Sequence, residues 1–387
     1  MINGGGRLPR RDFLFVQSTT EVGGAETVLL NLFGASEELR RRSLIATLGF
    51  GEGDLPNRLR MLGAEVVELP RARFRHPWKV VHTFRALRSV ARASGARAVI
   101  GNGGHPQVVG GVVARLANAR SVFMAHMIYP YPLWKNDPRD FLALAGPLDL
   151  ALAVSKAAQA TLSQLRPTVR NRLLYNGTPT RDVAAADAQA ARGELGAGND
   201  EVLIGVFGRL QRWKGQDVFV KAAGEVARAR PHVKFAIVGG SVFGLEPEYL
   251  EELKSQVVAE GLADRLMFTG FRTDVPRLMA ACDVVCHTSR VPEPFGLVIV
   301  EAMAVGRPVI ATAGGGPSEI IASDSDGILV PPEDPGALTR SMLALVDDPE
   351  RRRALGVRGR ELVRTQFSID VMASALVGHL DDSIADR

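Results

Sequence analysis

Short apolar runs rich in β-branched residues alternate with stretches of helical periodicity along all 387 residues of the chain. In the first half the pattern predicts strands over residues 12–16, 43–48, 65–69, 98–101, 121–125, 150–154 and 172–175. In the second half the strands fall over 202–207, 233–238, 266–269, 283–287, 308–311 and 328–330. Between them, residues 25–39, 77–93, 216–229 and 248–260 read as helices. Strand–helix alternation implies parallel sheets covered on both faces. Two such series, joined by an Ala-, Asp-, Gly- and Thr-rich stretch over 176–192, predict an α/β protein of two facing, doubly wound, Rossmann-like domains over 1–180 and 181–366. Beyond Pro349 the tail reads as helices, and its last segment, 367–387, is expected to pack back on the first domain. The length agrees, since one core rarely serves more than about 250–300 residues.

Composition changes the picture little. The chain is 46% apolar and 23% charged, as in globular proteins. No apolar run approaches the roughly 18 residues of a spanning helix. The start, PRRDFLFVQSTTE, has the look of a twin-arginine signal, but its apolar stretch covers only 13–16. A first buried strand is the reading, and the cytoplasm the expected compartment. Cys282 and Cys286 read as two buried, reduced thiols on one face of a strand, not as a metal or redox site.

Charge changes it more. The net value of +5 hides a surplus of 12 positive charges in residues 1–175 and of 7 negative charges in the remainder. A basic front half draws anionic ligands or surfaces. With no zinc-finger spacing and no aromatic–basic RNA motif, nucleic acid is not expected as a partner. The stretch RARFRHPWKVVHTFRALRSVAR sets Trp78, Val81, Phe84, Leu87 and Val90 on one helix face and Arg85, Arg88 and Arg92 on another. It reads as a core-facing helix with a charged outer face. The sharper alternative is peripheral attachment to the anionic inner face of the cell membrane.

Candidate chemistry concentrates in EPFGLVIVEAMAVGRP. Glu293 sits on a Pro-flanked loop, and Glu301 lies about a turn into a helix that opens near Phe295 and Gly296 and runs through Leu297 and Val298. Such an opening offers unpaired N–H groups and the positive end of the helix dipole to phosphate. The two carboxylates suit hydroxyls on either side, so the expected ligand is a nucleotide sugar. In GVFGRLQRWKGQD, Gly208 allows close backbone approach while Arg209 and Lys214 can neutralise a diphosphate. Gly23 and Gly24 in VGGAE follow the first strand, where a turn approaching phosphate belongs. His126 closes the strand SVFMAH, and His105 follows another strand in GNGGHP. Phe271 and Arg272, after LMFTG, are placed to bracket a nucleobase, and GGGPSEII forms a further glycine loop at Gly314, Gly315, Gly316 and Glu319. Asp324 and Asp326 make an Asp-x-Asp sequence, but in a polar turn, so no divalent metal is expected there.

Together these segments resemble the retaining glycosyltransferases of family 4 (GT4), which have the two-domain GT-B architecture. The resemblance runs through VGGAE, the His126 strand, AVSKA, YNGTP, FGRLQRWKG, FTGFRTDVPRLMAACDV, EPFGLVIVEAMAVGRPVIAT and GGGPSEII. It implies that Arg209 and Lys214 hold the donor diphosphate, that Glu301 binds ribose hydroxyls, and that Glu293 binds the transferred sugar. It further implies that His126 is the active-site histidine beside that sugar and that Gly23 and Gly24 touch the phosphates. Two segments depart from the family pattern: HTSR replaces a proline–serine turn, and NGTPT lacks the usual valine and aspartate. No role is therefore carried onto Thr178, Pro179 or Thr180. The expected activity is metal-independent transfer of a sugar from a UDP- or GDP-sugar to a hydroxyl acceptor, with retention, in the making of a cell-surface polysaccharide or glycolipid. A catalytically silent nucleotide-sugar-binding protein and a sugar-nucleotide epimerase are the alternatives.

Overall fold

The computed structural model describes residues 9–50, 53–69, 77–129, 138–180, 182–241 and 246–386. Residues 71–76 of the basic stretch and the Trp78 side chain lie outside what is described. The chain divides into two compact units, residues 1–177 with 369–387, and residues 178–368.

In the first unit seven parallel strands run β1 (Phe13–Thr19), β2 (Ser43–Phe50), β3 (Val66–Glu68), β4 (Ala98–Asn102), β5 (Arg120–Ala125), β6 (Leu150–Ala153) and β7 (Arg170–Leu173). Their order in the sheet is β3-β2-β1-β4-β5-β6-β7. The connecting helices are α1 (Gly24–Ala35), α2 (Glu37–Arg42), α3 (Leu55–Met61), α4 (Pro77–Ser94), α5 (Gly104–Ala117), α6 (Pro138–Ala145) and α7 (Lys156–Leu165). The expected helix over 25–39 breaks at Ser36, whose hydroxyl accepts the Leu39 N–H at 3.2 Å and so caps α2. In α4, Leu87 and Val90 are buried as the periodicity predicted and Phe84 packs against the core, but Val81 is 47% exposed.

The second unit repeats the plan with β8 (Val202–Phe207), β9 (Val233–Val238), β10 (Leu266–Gly270), β11 (Val284–His287), β12 (Val309–Thr312) and β13 (Ile328–Val330), ordered β10-β9-β8-β11-β12-β13. All six residues of β8 are buried, as a central strand covered on both faces requires. Its helices are α8 (Ala185–Glu194), α9 (Gln216–Ala229), α10 (Tyr249–Ala259), α11 (Val275–Ala281), α12 (Leu297–Ala304), α13 (Pro317–Ile320), α14 (Pro335–Asp347) and α15 (Pro349–Leu362). Asp-Pro pairs start both α14 and α15: Asp334 accepts the Ala337 N–H and Asp348 the Arg351 N–H, each at 2.8 Å.

Two expectations need correction. The stretch read as a linker already contains α8, which Arg192 ties to the sheet: its guanidinium donates to the Asp283 carboxylate at 2.9 Å and to the Ala281 carbonyl at 3.0 Å. That buried cation and its partner dock the helix on the second unit. The two cysteines do not share a strand face, because Cys282 caps α11 and only Cys286 lies in β11. Both thiols are buried, and burial pushes Cys282 up to about 12, so neither is a thiolate near neutrality.

The final helix, α16 (Ile369–Ala385), belongs to the first unit. Arg42 is its anchor: it donates to Asp381 at 2.9 Å and to Asp12 at 2.8 Å while lying over the Phe13 ring at 4.5 Å. Arg172 pairs with Asp382 at 3.1 Å, and Arg170 pairs with Asp386. An acidic helix thereby neutralises part of the basic front half.

Candidate functional site

In each sheet the strand order reverses beside the first strand, between β1 and β4 and between β8 and β11. Ligands of doubly wound sheets bind at the carboxyl ends of the strands around such a switch point. The candidate residues lie at these ends, and the two units equip them differently.

In the second unit, β8 is followed by Gly208, whose φ of +140° is open to glycine and strained for any other residue. Arg209 follows, partly buried, and forms no ion pair with a described residue. A short turn over Arg212–Lys214 then brings Lys214 back under the sheet edge. Gly215 makes this possible: at φ +68°, a Cβ there would sit 2.1 Å from the Thr288 carbonyl oxygen. Thr288 and Arg290, after β11, clasp the turn through the Lys214 carbonyl at 2.9 Å and the Trp213 carbonyl at 2.8 Å.

Lys214 Nζ reaches Glu293 Oε2 at 2.7 Å and lies 4.0 Å from the centre of the Trp213 ring. The same carboxylate oxygen accepts Ser289 Oγ at 2.8 Å and faces His287 Nε2 at 3.2 Å. Lysine and glutamate side chains are only 17% and 13% exposed. Burial alone would favour a neutral Glu293, but the Lys214 charge and the hydrogen bond from His287 outweigh it and hold the carboxyl well below the usual carboxylate range. His287 Nδ1, though buried, has no hydrogen-bond partner among the described residues.

Beyond Glu293 the chain turns through buried Phe295 to Gly296, and α12 opens at Leu297 and Val298, both partly exposed. Glu301 stands on its second turn, partly buried. The glycine loop after β12 lies against this entry: Gly316 N–H donates to the Glu293 carbonyl at 2.9 Å, and Glu293 and Gly315 pair as an isolated parallel bridge. Phe271, after β10, is 66% exposed. Arg272 beside it is not free to bracket a ligand, since it donates twice to Asp274 at 2.7 Å and once to Glu194 at 3.1 Å. Asp326 of the Asp-x-Asp pair is also engaged, accepting Arg358 Nε at 2.9 Å and Ser323 Oγ at 2.8 Å.

In the first unit the corresponding edge is a chain of hydrogen bonds. Glu26, buried on the first turn of α1, accepts the Gly23 N–H at 3.0 Å and Gln17 Nε2 at 2.6 Å. Gln17 Oε1 accepts Asn102 Nδ2 at 2.7 Å, and Asn102 Oδ1 lies 2.6 Å from His126 Nε2. Gly23 and His126, 103 positions apart in the chain, are thus linked by four consecutive hydrogen bonds. His126 sits one residue beyond β5, which ends at Ala125. Burial lowers its imidazole to about 4, so it is neutral near pH 7. Gly24 is exposed at the start of α1, and His105, after β4, lies in the first turn of α5.

Sequence reasoning missed Gln17, Glu26 and Asn102, and met His287 and Ser289 only as part of the departing HTSR segment. Glu26 carried a signal, since a glutamate three residues after a helix cap points back at the cap N–H. Gln17 and Asn102 carried none, because polar residues at strand ends declare a role only once β1 and β4 are paired.

Comparison with known proteins followed the same division. The family described as Glycosyltransferase Family 4 matches residues 22–182, and that described as Glycosyl transferases group 1 matches residues 187–362. The lipopolysaccharide core biosynthesis mannosyltransferase LpsB of Rhizobium meliloti is 32% identical over 232 residues, 59% of this chain and 64% of that protein. A D-inositol 3-phosphate glycosyltransferase of Segniliparus rotundus is 35% identical over 176 residues, 45% of this chain and 38% of its own length. The chain therefore spans about half the length of the relatives it matches. Among solved structures, HepE of Anabaena in complex with UDP and glucose superposes with a TM-score of 0.84 at 27% identity, covering 96% of this chain and 100% of that one. WaaG, a glycosyltransferase involved in lipopolysaccharide biosynthesis, shares the fold with a TM-score of 0.70 at 19% identity, covering 94% of this chain and 98% of that one.

Proposed function

Because the chain belongs to the family 4 glycosyltransferases with the GT-B fold, we propose that it transfers a sugar from a nucleotide-sugar donor to a hydroxyl acceptor, with retention and without a metal. The observation that carries this reading is the buried Lys214–Glu293 pair, with Arg209 nearby in the chain, at the carboxyl ends of β8 and β11 and at the start of α12. The donor assignment draws support from HepE, which was crystallised with UDP and with UDP-glucose. The acceptor class draws support from relatives named for lipopolysaccharide core and inositol phosphate.

In this reading the donor diphosphate takes Arg209, Lys214 and the first N–H groups of α12. As the glycosidic bond breaks, negative charge grows on the diphosphate, where these fixed positive groups stabilise it more than in the ground state. Lys214, drawn to phosphate, loosens its hold on Glu293, whose carboxylate then accepts hydroxyls of the transferred sugar. Glu301 takes the ribose hydroxyls, and His126 serves a sugar hydroxyl. The departing phosphate oxygen accepts the acceptor's proton on the face where the new bond forms, so retention needs no protein nucleophile. Peripheral membrane attachment belongs to the proposal only through α4, whose Arg85 and Arg92 are exposed; the arginines of β7 are paired with α16.

Incubation with labelled UDP- and GDP-sugars tests the reading, with slow donor hydrolysis as the expected result. Binding without turnover of any donor, with or without candidate acceptors, would favour a silent binding protein. Flotation with anionic vesicles tests the membrane part, and no co-migration ends it.

A further inference from the structure

The amides behind His126 have a direction. Glu26, Gln17 and Asn102 are 9%, 1% and 4% exposed, so each must find its partners within the protein. As a carboxylate, Glu26 can only accept, and it accepts from Gly23 N and Gln17 Nε2. An amide that turns its NH2 toward Glu26 turns its oxygen the other way, so Gln17 Oε1 accepts from Asn102 Nδ2. Asn102 is then turned in the same sense, and its Oδ1 faces His126 Nε2 at 2.6 Å, where it too can only accept. The ring proton must sit on Nε2, and Nδ1 keeps the lone pair.

We propose that Glu26, acting through Gln17 and Asn102, fixes His126 as the Nε2–H tautomer, so that Nδ1 meets a ligand only as a hydrogen-bond acceptor. Such a nitrogen suits a sugar hydroxyl and repels a phosphate oxygen; the hydroxyl assignment rests on the nucleotide-sugar reading above. Burial keeps the ring neutral, so its tautomer, not its charge, decides what it binds. Glu26 is on this account a positioning residue that acts on the ligand only through the groups between them. It also holds the Gly23 N–H, so the glycine loop and the histidine are set by one carboxylate.

Long-range proton–nitrogen spectra of the full chain labelled with 15N-histidine distinguish the two tautomers, and His126→Gln identifies the His126 signals. The expected wild-type pattern is a protonated Nε2 beside an unprotonated Nδ1; the reverse pattern overturns the proposal. Glu26→Gln removes the obligate acceptor and is expected to admit the Nδ1–H form. A Glu26→Gln spectrum identical to wild type overturns the relay. Asn102→Asp restores an acceptor-only group beside the ring, so the double variant E26Q/N102D is expected to recover the single Nε2–H form, which relief of a folding defect would not produce. If Glu26→Gln does not fold, the wild-type spectrum still decides the tautomer.

Adding UDP-glucose or GDP-mannose, whichever calorimetry shows to bind, is expected to move the Nδ1 signal further than bare UDP or GDP does. A bound nucleotide sugar that leaves Nδ1 unmoved overturns the acceptor role. Failure of every nucleotide sugar to bind overturns the functional reading, and with it the hydroxyl assignment, while the ligand-free spectra decide the tautomer independently.

Discussion

The two sheets share a topology, yet their carboxyl edges are chemically opposite. In the second unit Lys214, Ser289 and His287 converge on one carboxylate oxygen of Glu293, with the Arg209 guanidinium close by in sequence. In the first unit the edge is a line of amides ending on an imidazole that burial keeps neutral. An edge of paired charges stabilises charge that develops in a ligand, whereas a directional edge ending on a neutral imidazole sorts ligands by where their donors and acceptors point. Fold alone therefore does not assign the work of a doubly wound domain; the strand-end residues do.

The sharpest way to break this contrast is Lys214→Ala. It strips the charged edge of its counter-charge and leaves the largely buried Glu293 with only Ser289 and His287, which costs about 3–5 kcal/mol of stability. Chemical denaturation measures this, and the double variant K214A/E293Q is expected to regain most of the stability while staying inactive. If the double variant recovers turnover as well, Lys214 is structural and the diphosphate clamp is wrong. Arg209→Ala separates the roles differently. Since Arg209 makes no ion pair with a described residue, stability should hold while turnover falls by about 2–4 kcal/mol in transition-state free energy. A smaller effect is expected for Glu301→Gln, where losing one charged acceptor of a hydroxyl costs about 1.5–3 kcal/mol. Steady-state kinetics should show it as a higher KM for donor with kcat nearly unchanged; an unchanged KM would remove Glu301 from the ribose.

The directional edge has its own signature in pH. His126 is lowered from the ordinary 6.5 to about 4. Between those values the unfolded chain binds a proton that the folded chain refuses, so stability falls as pH drops through the window. The full shift would correspond to about 3 kcal/mol, and partial exposure of the ring reduces this to about 1–2 kcal/mol. The difference in unfolding free energy between wild type and His126→Gln, followed from pH 7 to 4, isolates the histidine from the carboxylates that titrate nearby. A difference that does not change with pH would show the ring to be protonated as easily in the folded state as in the unfolded one.

Every strand was legible in the pattern, and β8, β9 and β13 to the residue, because an apolar run between turn signals in a parallel sheet has little else to become. What local pattern could not show were contacts made across the sheet. Ser36 divides α1 from α2 through one hydroxyl, and Arg192 docks α8, in an apparent linker, by reaching Asp283 from 91 residues away. At the site, single positions such as Lys214 and Glu293 stood out by type and spacing. Their pairing did not, nor did the Arg272–Asp274 pair that occupies a side chain expected to face a base.

The smallest expected effect is also a test of the contrast. If Arg209, Lys214 and the N–H groups at the start of α12 carry the charge of the leaving diphosphate, the second unit needs no divalent ion for that task. The one Asp-x-Asp sequence offers little help to such an ion, because Asp326 is 5% exposed and already serves Arg358 and Ser323. A cation would have to displace an arginine from a buried carboxylate, which costs several kcal/mol before any bond to the metal forms. Donor turnover assayed in excess EDTA, then with added magnesium or manganese, should therefore stay constant within error. A rate that collapses with chelator and returns with metal would move the leaving-group chemistry off the two cations and dissolve the distinction between a charged edge and a directional one.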